Sequence, residues 1–201
     1  MNYRTAFVLL TISAAMLRGQ IRDTVGALTI YTRFAQSPSN LSVKYMKTEL
    51  EAIMLPFHLR LDWRALESAN GRQVASEIVV VSFKGACRAD SFSWTVPERS
   101  LGWTEIVDGE ILPFADVDCD RIRGLMTEAL AGSAAASREA MLGRAMARVL
   151  AHELYHVLAH TTQHAVTGIA KASYTGAELA SNQLRFDEAQ LRAVCARPRH
   201  P

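Results

Sequence analysis

Hydrophobic and polar positions change period several times along the chain, and each change marks an element. ALTIYTRF (27–34) is rich in β-branched and aromatic residues and predicts a strand. SPSN follows as a turn and helix start. From Leu41 to Leu55, Met46, Leu50, Ile53 and Met54 recur at helical spacing until Pro56, which predicts an amphipathic helix. HLRLDWRAL then alternates, with Leu59, Leu61, Trp63 and Ala65 on one face of a half-covered strand. EIVVVSF (77–83) is a short continuous apolar run and predicts a central strand covered on both faces.

In SLGWTEIVDGEILPFADV, Asp108-Gly109 lies between two apolar runs, a strong hairpin signal. Pro113 falls in the second arm; proline donates nothing to a sheet ladder, so that arm is expected at an edge, where an extended peptide can pair with it. ALAGSAAAS (129–137) reads as a loop or frayed helix start, with Ser137 as a cap and Glu139 in the first turn. The helix that follows, REAMLGRAMARVLAHELYHVLAH, carries a broad apolar face of Met141, Leu142, Met146, Val149, Leu150, Leu154, Val157 and Leu158.

At 201 residues, 49% of them hydrophobic and 21% charged, the chain suits one globular domain. Its net charge of +2 comes from scattered Lys and Arg without a basic stripe, which argues against nucleic acid as a partner. Residues 1–20 have a polar start with Arg4, an apolar run from Ala6 to Leu17 and then Gly19, the layout of a secretory signal. That run falls short of the roughly 20 residues needed to span a bilayer. The expectation is a signal peptide over 1–20, a domain over 21–194 and a flexible tail over 195–201. The product would be secreted or periplasmic, monomeric and off the membrane once the signal is cleaved, with no folded propeptide before the first strand. Disulfides persist outside the reducing cytosol, so Cys87 and Cys119 are expected to pair, leaving Cys195 near the tail.

Four of the six histidines, His152, His156, His160 and His164, are spaced four residues apart in HELYHVLAHTTQH. On a helix such residues lie about 40° apart around the axis and about 6 Å along it, so His152 and His156 can share one ion. Glu153 lies about 100° round from His152, placed to reach a water on that ion rather than the ion itself. A zinc ion would bring that water's pKa to about 7, and the carboxylate could take its proton as hydroxide attacks a carbonyl. Glu153 is the only charged residue between Arg148 and His160, and burying an unpaired carboxylate in so apolar a setting is costly, which argues for a site.

These residues resemble the HExxH motif of the zincin metallopeptidases. The resemblance implies an α+β fold: a mixed twisted sheet with an antiparallel edge hairpin, packed on an active-site helix. It further implies a third ligand beyond the helix. The strand-helix-strand order and histidine-rich continuation are metzincin-like, but Ala159 stands where the metzincin pattern HExxHxxGxxH has glycine and Thr162 where it has the third histidine. All seven methionines precede His152, so no methionine turn can follow.

A catalytic zinc takes three protein ligands, and the third here is read as His164, with Glu178 and His160 as alternatives. His160 would sit about 12 Å along the axis from His152, too far for easy convergence. His164 joins only if the helix stops near His160, and no Gly or Pro before Gly168 forces that stop. Glu178 is otherwise a first-turn helix glutamate. Tyr155 is read as packing; Tyr174 is read first as a partly buried tyrosine, then as a phenol facing an oxyanion.

The sequence therefore predicts a secreted zinc metalloendopeptidase acting on a peptide or protein, with Glu153 as general base, His152, His156 and His164 as ligands, and substrate paired along Glu110 to Val117. An exported metal-binding protein without catalysis, or a degenerate zincin-fold binding module, is the alternative.

Overall fold

The five strands read from the sequence make one sheet. A computed structural model describes residues 26–71, 75, 77–91 and 100–196. The segment read as a signal and residues 197–201 lie outside the described residues. The strands are β1 (Gly26–Phe34), β2 (Leu59–Ala65), β3 (Glu77–Lys84), β4 (Gly102–Val107) and β5 (Glu110–Asp118). Their order is β2-β1-β3-β5-β4, all parallel except β4, which runs antiparallel to β5. The helices are α1 (Asn40–Met54), α2 (Cys119–Leu125), α3 (Thr127–Leu130), α4 (Ala135–Ala159), α5 (Gly176–Ala180) and α6 (Glu188–Cys195). Among the described residues no helix is long and apolar enough to cross a membrane.

Ser39 caps α1, accepting from Ser42 N at 3.4 Å, and the helix gives way at Leu55 to a short 3₁₀ turn containing Pro56. Its buried stripe of Met46, Leu50, Ile53 and Met54 joins Leu142, Met146, Val149 and Leu150 of α4 in the core. Gly143 lets the two helices cross closely, since a Cβ there would collide with Ser42 O. Both helices pack on the sheet face that carries Leu28, Ile30, Val79, Val81, Phe83 and Val117.

This arrangement corrects the expectation that β3 is covered on both faces. It is central, but Val79, Val81 and Phe83 are buried while Ile78 is 39% exposed. The helices cover one side, so a run of consecutive apolar residues here does not mean double burial. The edge assignment is also corrected. The hairpin turns at Asp108 (φ 51°) and Gly109 (φ 83°), but its second arm, β5, is paired on both sides, and β4 is the edge. Pro113 is tolerated because pairing of β5 with β3 begins only at Phe114, and the β4 side is irregular between Thr104 and Ile106.

Ser137 does not cap α4. The helix begins at Ala135 with Ala134 as an uncapped N-terminal residue, and α3 occupies part of the expected loop. Alanine's high helix propensity extends the helix backwards. Glu139 holds that end instead, accepting from Ala89 N at 2.9 Å and from the Ser42 hydroxyl. Cys87 and Cys119 form a disulfide between the segment after β3 and the start of α2. Cys195 is a free, exposed thiol that closes α6, so regular structure runs into the segment expected to be tail.

Candidate active site

The last turns of α4 carry His152, Glu153 and His156, each less than 8% exposed. The helix then stops at His160, where it must stop if His164 is to join, although no Gly or Pro stands there. His160 takes the left-handed conformation (φ 46°), a strain of about 1–2 kcal/mol for a residue with a Cβ. Thr161 N donates to His156 O at 3.2 Å and His160 N to Val157 O at 3.4 Å, the two bonds of a Schellman turn. The chain reverses and brings His164 to the two helical histidines. Its ring centroid lies 5.1 Å from that of His152 and 5.0 Å from that of His156. Each of the three offers a ring nitrogen within 4.8 Å of the others, an arrangement able to hold a metal ion.

The hydrogen bonds around the rings decide which nitrogens face inward. His152 Nδ1 lies 2.8 Å from Ile169 O, and His156 Nδ1 lies 2.6 Å from Thr161 O. A carbonyl can only accept, so both Nδ1 atoms carry protons and both Nε2 atoms present lone pairs. Those Nε2 atoms are 3.0 Å apart with no proton to share between them. Two facing lone pairs repel, and a cation between them removes the repulsion, so the residues fit a metal of the imidazole-binding class such as zinc. Burial, opposed by the Ile169 hydrogen bond, takes His152 down to about 4, and burial lowers His156 as well, so neither is charged at neutral pH.

Glu153 points toward the sheet edge. The Thr104 hydroxyl, on β4, donates to its Oε2 at 2.8 Å. Burial pushes the carboxyl up to about 7, with the Thr104 bond opposing the shift. Gly102 makes the room, because a Cβ there would lie 2.9 Å from Glu153 Oε1 and from Asp116 O. The carboxylate and the three histidines line a cleft of about 190 Å³, with Trp103, Thr104, Ile106, Ile111, Thr161 and Thr162 as further walls. Among the described residues Glu153 is the only carboxylate on that lining, and no Lys or Arg reaches it.

The other candidates lie elsewhere. Glu178 pairs with Lys171 and closes a capping box with Thr175 at the start of α5. His160 is exposed and forms the turn itself. Tyr155 packs against Phe186, with ring centroids 6.0 Å apart. The oxyanion role weighed for Tyr174 is not supported. Its hydroxyl donates to Ile169 O and lies 3.1 Å from His152 Nδ1, behind the ring rather than on the cleft side.

Sequence reading did not find Thr104, since its bond to Glu153 spans 49 positions and no local pattern marks it. Gly102 had a usable signal, a glycine inside a strand, which often marks the close approach of another element.

No protein-family model matches the chain, and no curated protein matches it. Among solved structures, archaemetzincin from Methanopyrus kandleri shares the fold with a TM-score of 0.53. It is 11% identical, over 86% of this chain and 95% of that one. The mixed fold, a five-stranded and mostly parallel sheet with helices, is thus an archaemetzincin-like fold.

Proposed function

We propose that the protein is an exported zinc-dependent peptidase in which His152, His156 and His164 hold the metal and Glu153 is the general base. The observation that carries this reading is the convergence of three imidazoles beside a buried carboxylate in an open cleft. The likeness to archaemetzincin supports it at the level of fold. The Cys87–Cys119 disulfide supports export, as such bonds persist in oxidising compartments.

Zinc on these three residues would supply Lewis acidity, polarising a carbonyl and acidifying water to a pKa of about 7. The chain's own groups do the rest. Ile169 O and Thr161 O fix two rings through their Nδ1 protons. Thr104 steers Glu153, which accepts a proton from the attacking water and returns it to the leaving amine. The outer edge of β4, beside the cleft, would pair with an extended substrate, in place of the Glu110 to Val117 arm expected from the sequence. Trp103, Ile106 and Ile111 favour apolar side chains on that substrate.

Incubation with unfolded casein tests the proposal. The parent protein is expected to cleave it, a chelator to stop cleavage, and Glu153→Gln to lower the rate by about 10²–10⁴-fold with zinc content unchanged. Cleavage that survives Glu153→Gln contradicts the assignment. Zinc binding without cleavage by the parent favours the non-catalytic metal-binding alternative.

A further inference from the structure

The peptide unit between Ile169 and Ala170 is gripped from both ends. Its carbonyl accepts from His152 Nδ1 at 2.8 Å, and its N–H, on Ala170, donates to Gln190 Oε1 at 3.4 Å. A peptide unit is planar, so a group that fixes the direction of the N–H also fixes that of the carbonyl. Gln190 lies in the first turn of α6 and is 2% exposed. Its NH₂ donates to Thr167 O at 2.6 Å and to Asp187 Oδ2 at 2.8 Å. Both partners are acceptors, which leaves Oε1 for Ala170 N–H and for Asp187 N–H at 3.3 Å. Every hydrogen-bonding position of this buried amide is used. Gly168, between the two anchored residues, has φ +69°, and a Cβ there would come within 2.9 Å of the amide group. The fit between loop and amide excludes a side chain at that point.

We propose that Gln190 is a positioning residue for the metal centre: it aims the Ile169 carbonyl that orients His152. The inference rests on reading His152 as a metal ligand. A polar partner behind a ligating imidazole fixes both its tautomer and its ring plane, and losing such a partner weakens metal binding by about 10–100-fold. Gln190 acts one step further back, and Ile169 N–H keeps its own bond to Arg185 O at 3.1 Å. The expected effect is therefore at the low end of that range.

The test uses the full chain. Gln190→Met keeps the side-chain length and removes its donors and acceptor. Zinc affinity is measured by competition with a chromogenic chelator, alongside thermal melts of the metal-free proteins. Val79→Ala, a cavity variant in β3 away from this loop, controls for general destabilisation. Gln190→Met is expected to weaken zinc binding about tenfold, while Val79→Ala binds as the parent does, whatever its loss of melting temperature. Parent-like affinity in Gln190→Met, or an equal loss in Val79→Ala, overturns the proposal. A parent protein that binds no zinc overturns it together with the metal reading, whereas zinc binding indifferent to Gln190 overturns this proposal alone.

A second measurement does not depend on a variant that folds. Coupling is reciprocal, so if Gln190 favours zinc then zinc favours the Gln190 contacts. Zinc should slow hydrogen exchange at Ala170 N–H and at the Gln190 side-chain amide of the parent protein. Unchanged exchange at both overturns the proposal.

Discussion

The Nε2 atoms of His152 and His156 stand 3.0 Å apart while the Nδ1 atom of each ring is engaged by a backbone carbonyl. The tautomers follow from this pairing. Long-range proton–nitrogen NMR of the metal-free protein at neutral pH should show both rings protonated at Nδ1 and bare at Nε2. An Nε2–H tautomer on either ring would mean that the two nitrogens share a hydrogen bond and are not arranged around a cation.

Gly102→Ala should damage stability and site together. The added methyl would lie 2.9 Å from Asp116 O and from Glu153 Oε1, and 3.0 Å from Val149 Cγ1. Overpacking of this kind costs about 1–3 kcal/mol, and displacement of the carboxylate should lower cleavage beyond what the lost stability explains. Denaturant melts paired with initial rates on the folded fraction separate the two effects. Unchanged values for both would show that β4 does not lie as close to α4 as described.

Much of this framework can be read in the sequence. The alternation in β2, the helical stripe of α1 and the Asp108-Gly109 turn all reflect local rules acting on consecutive residues. The histidine pair and Glu153 are equally local, set by helix geometry. What the sequence concealed depends on contacts between distant segments. His160 adopts a left-handed turn without being glycine because two capping bonds and the packing of the returning chain hold it there. Pro113 suggested an edge, yet an irregularity in β4 accommodates it on the inner strand. Ser137 offered a cap that the helix bypasses because Glu139 is tied to Ser42 and Ala89 from another segment.

Glu178 gives a pH-dependent prediction away from the histidines. Lys171, and then the Thr175 backbone N–H, hold its carboxyl down to about 2, below its ordinary 4.5. A carboxyl with a lowered folded pKa adds stability above its unfolded pKa and loses it as pH falls through the folded value. The side chain is 41% exposed, so solvent screening limits the contribution to about 0.5–1 kcal/mol. Glu178→Gln should be less stable than the parent by that amount at pH 7, and the gap should close between pH 4.5 and 2. Chemical denaturation at pH 7 and pH 2.5 checks this. A gap that widens in acid would reverse the sign. Zinc content should be unaffected, in keeping with the position of Glu178 outside the histidine cluster.

Calorimetric titration of the metal-free protein with zinc, beside His164→Ala, tests the centre most directly. One equivalent should bind the parent, and His164→Ala should bind at least about 100-fold more weakly, because a catalytic zinc site needs its third protein ligand. Equal binding by the two proteins, or a stoichiometry other than one, would contradict a metal centre built from His152, His156 and His164.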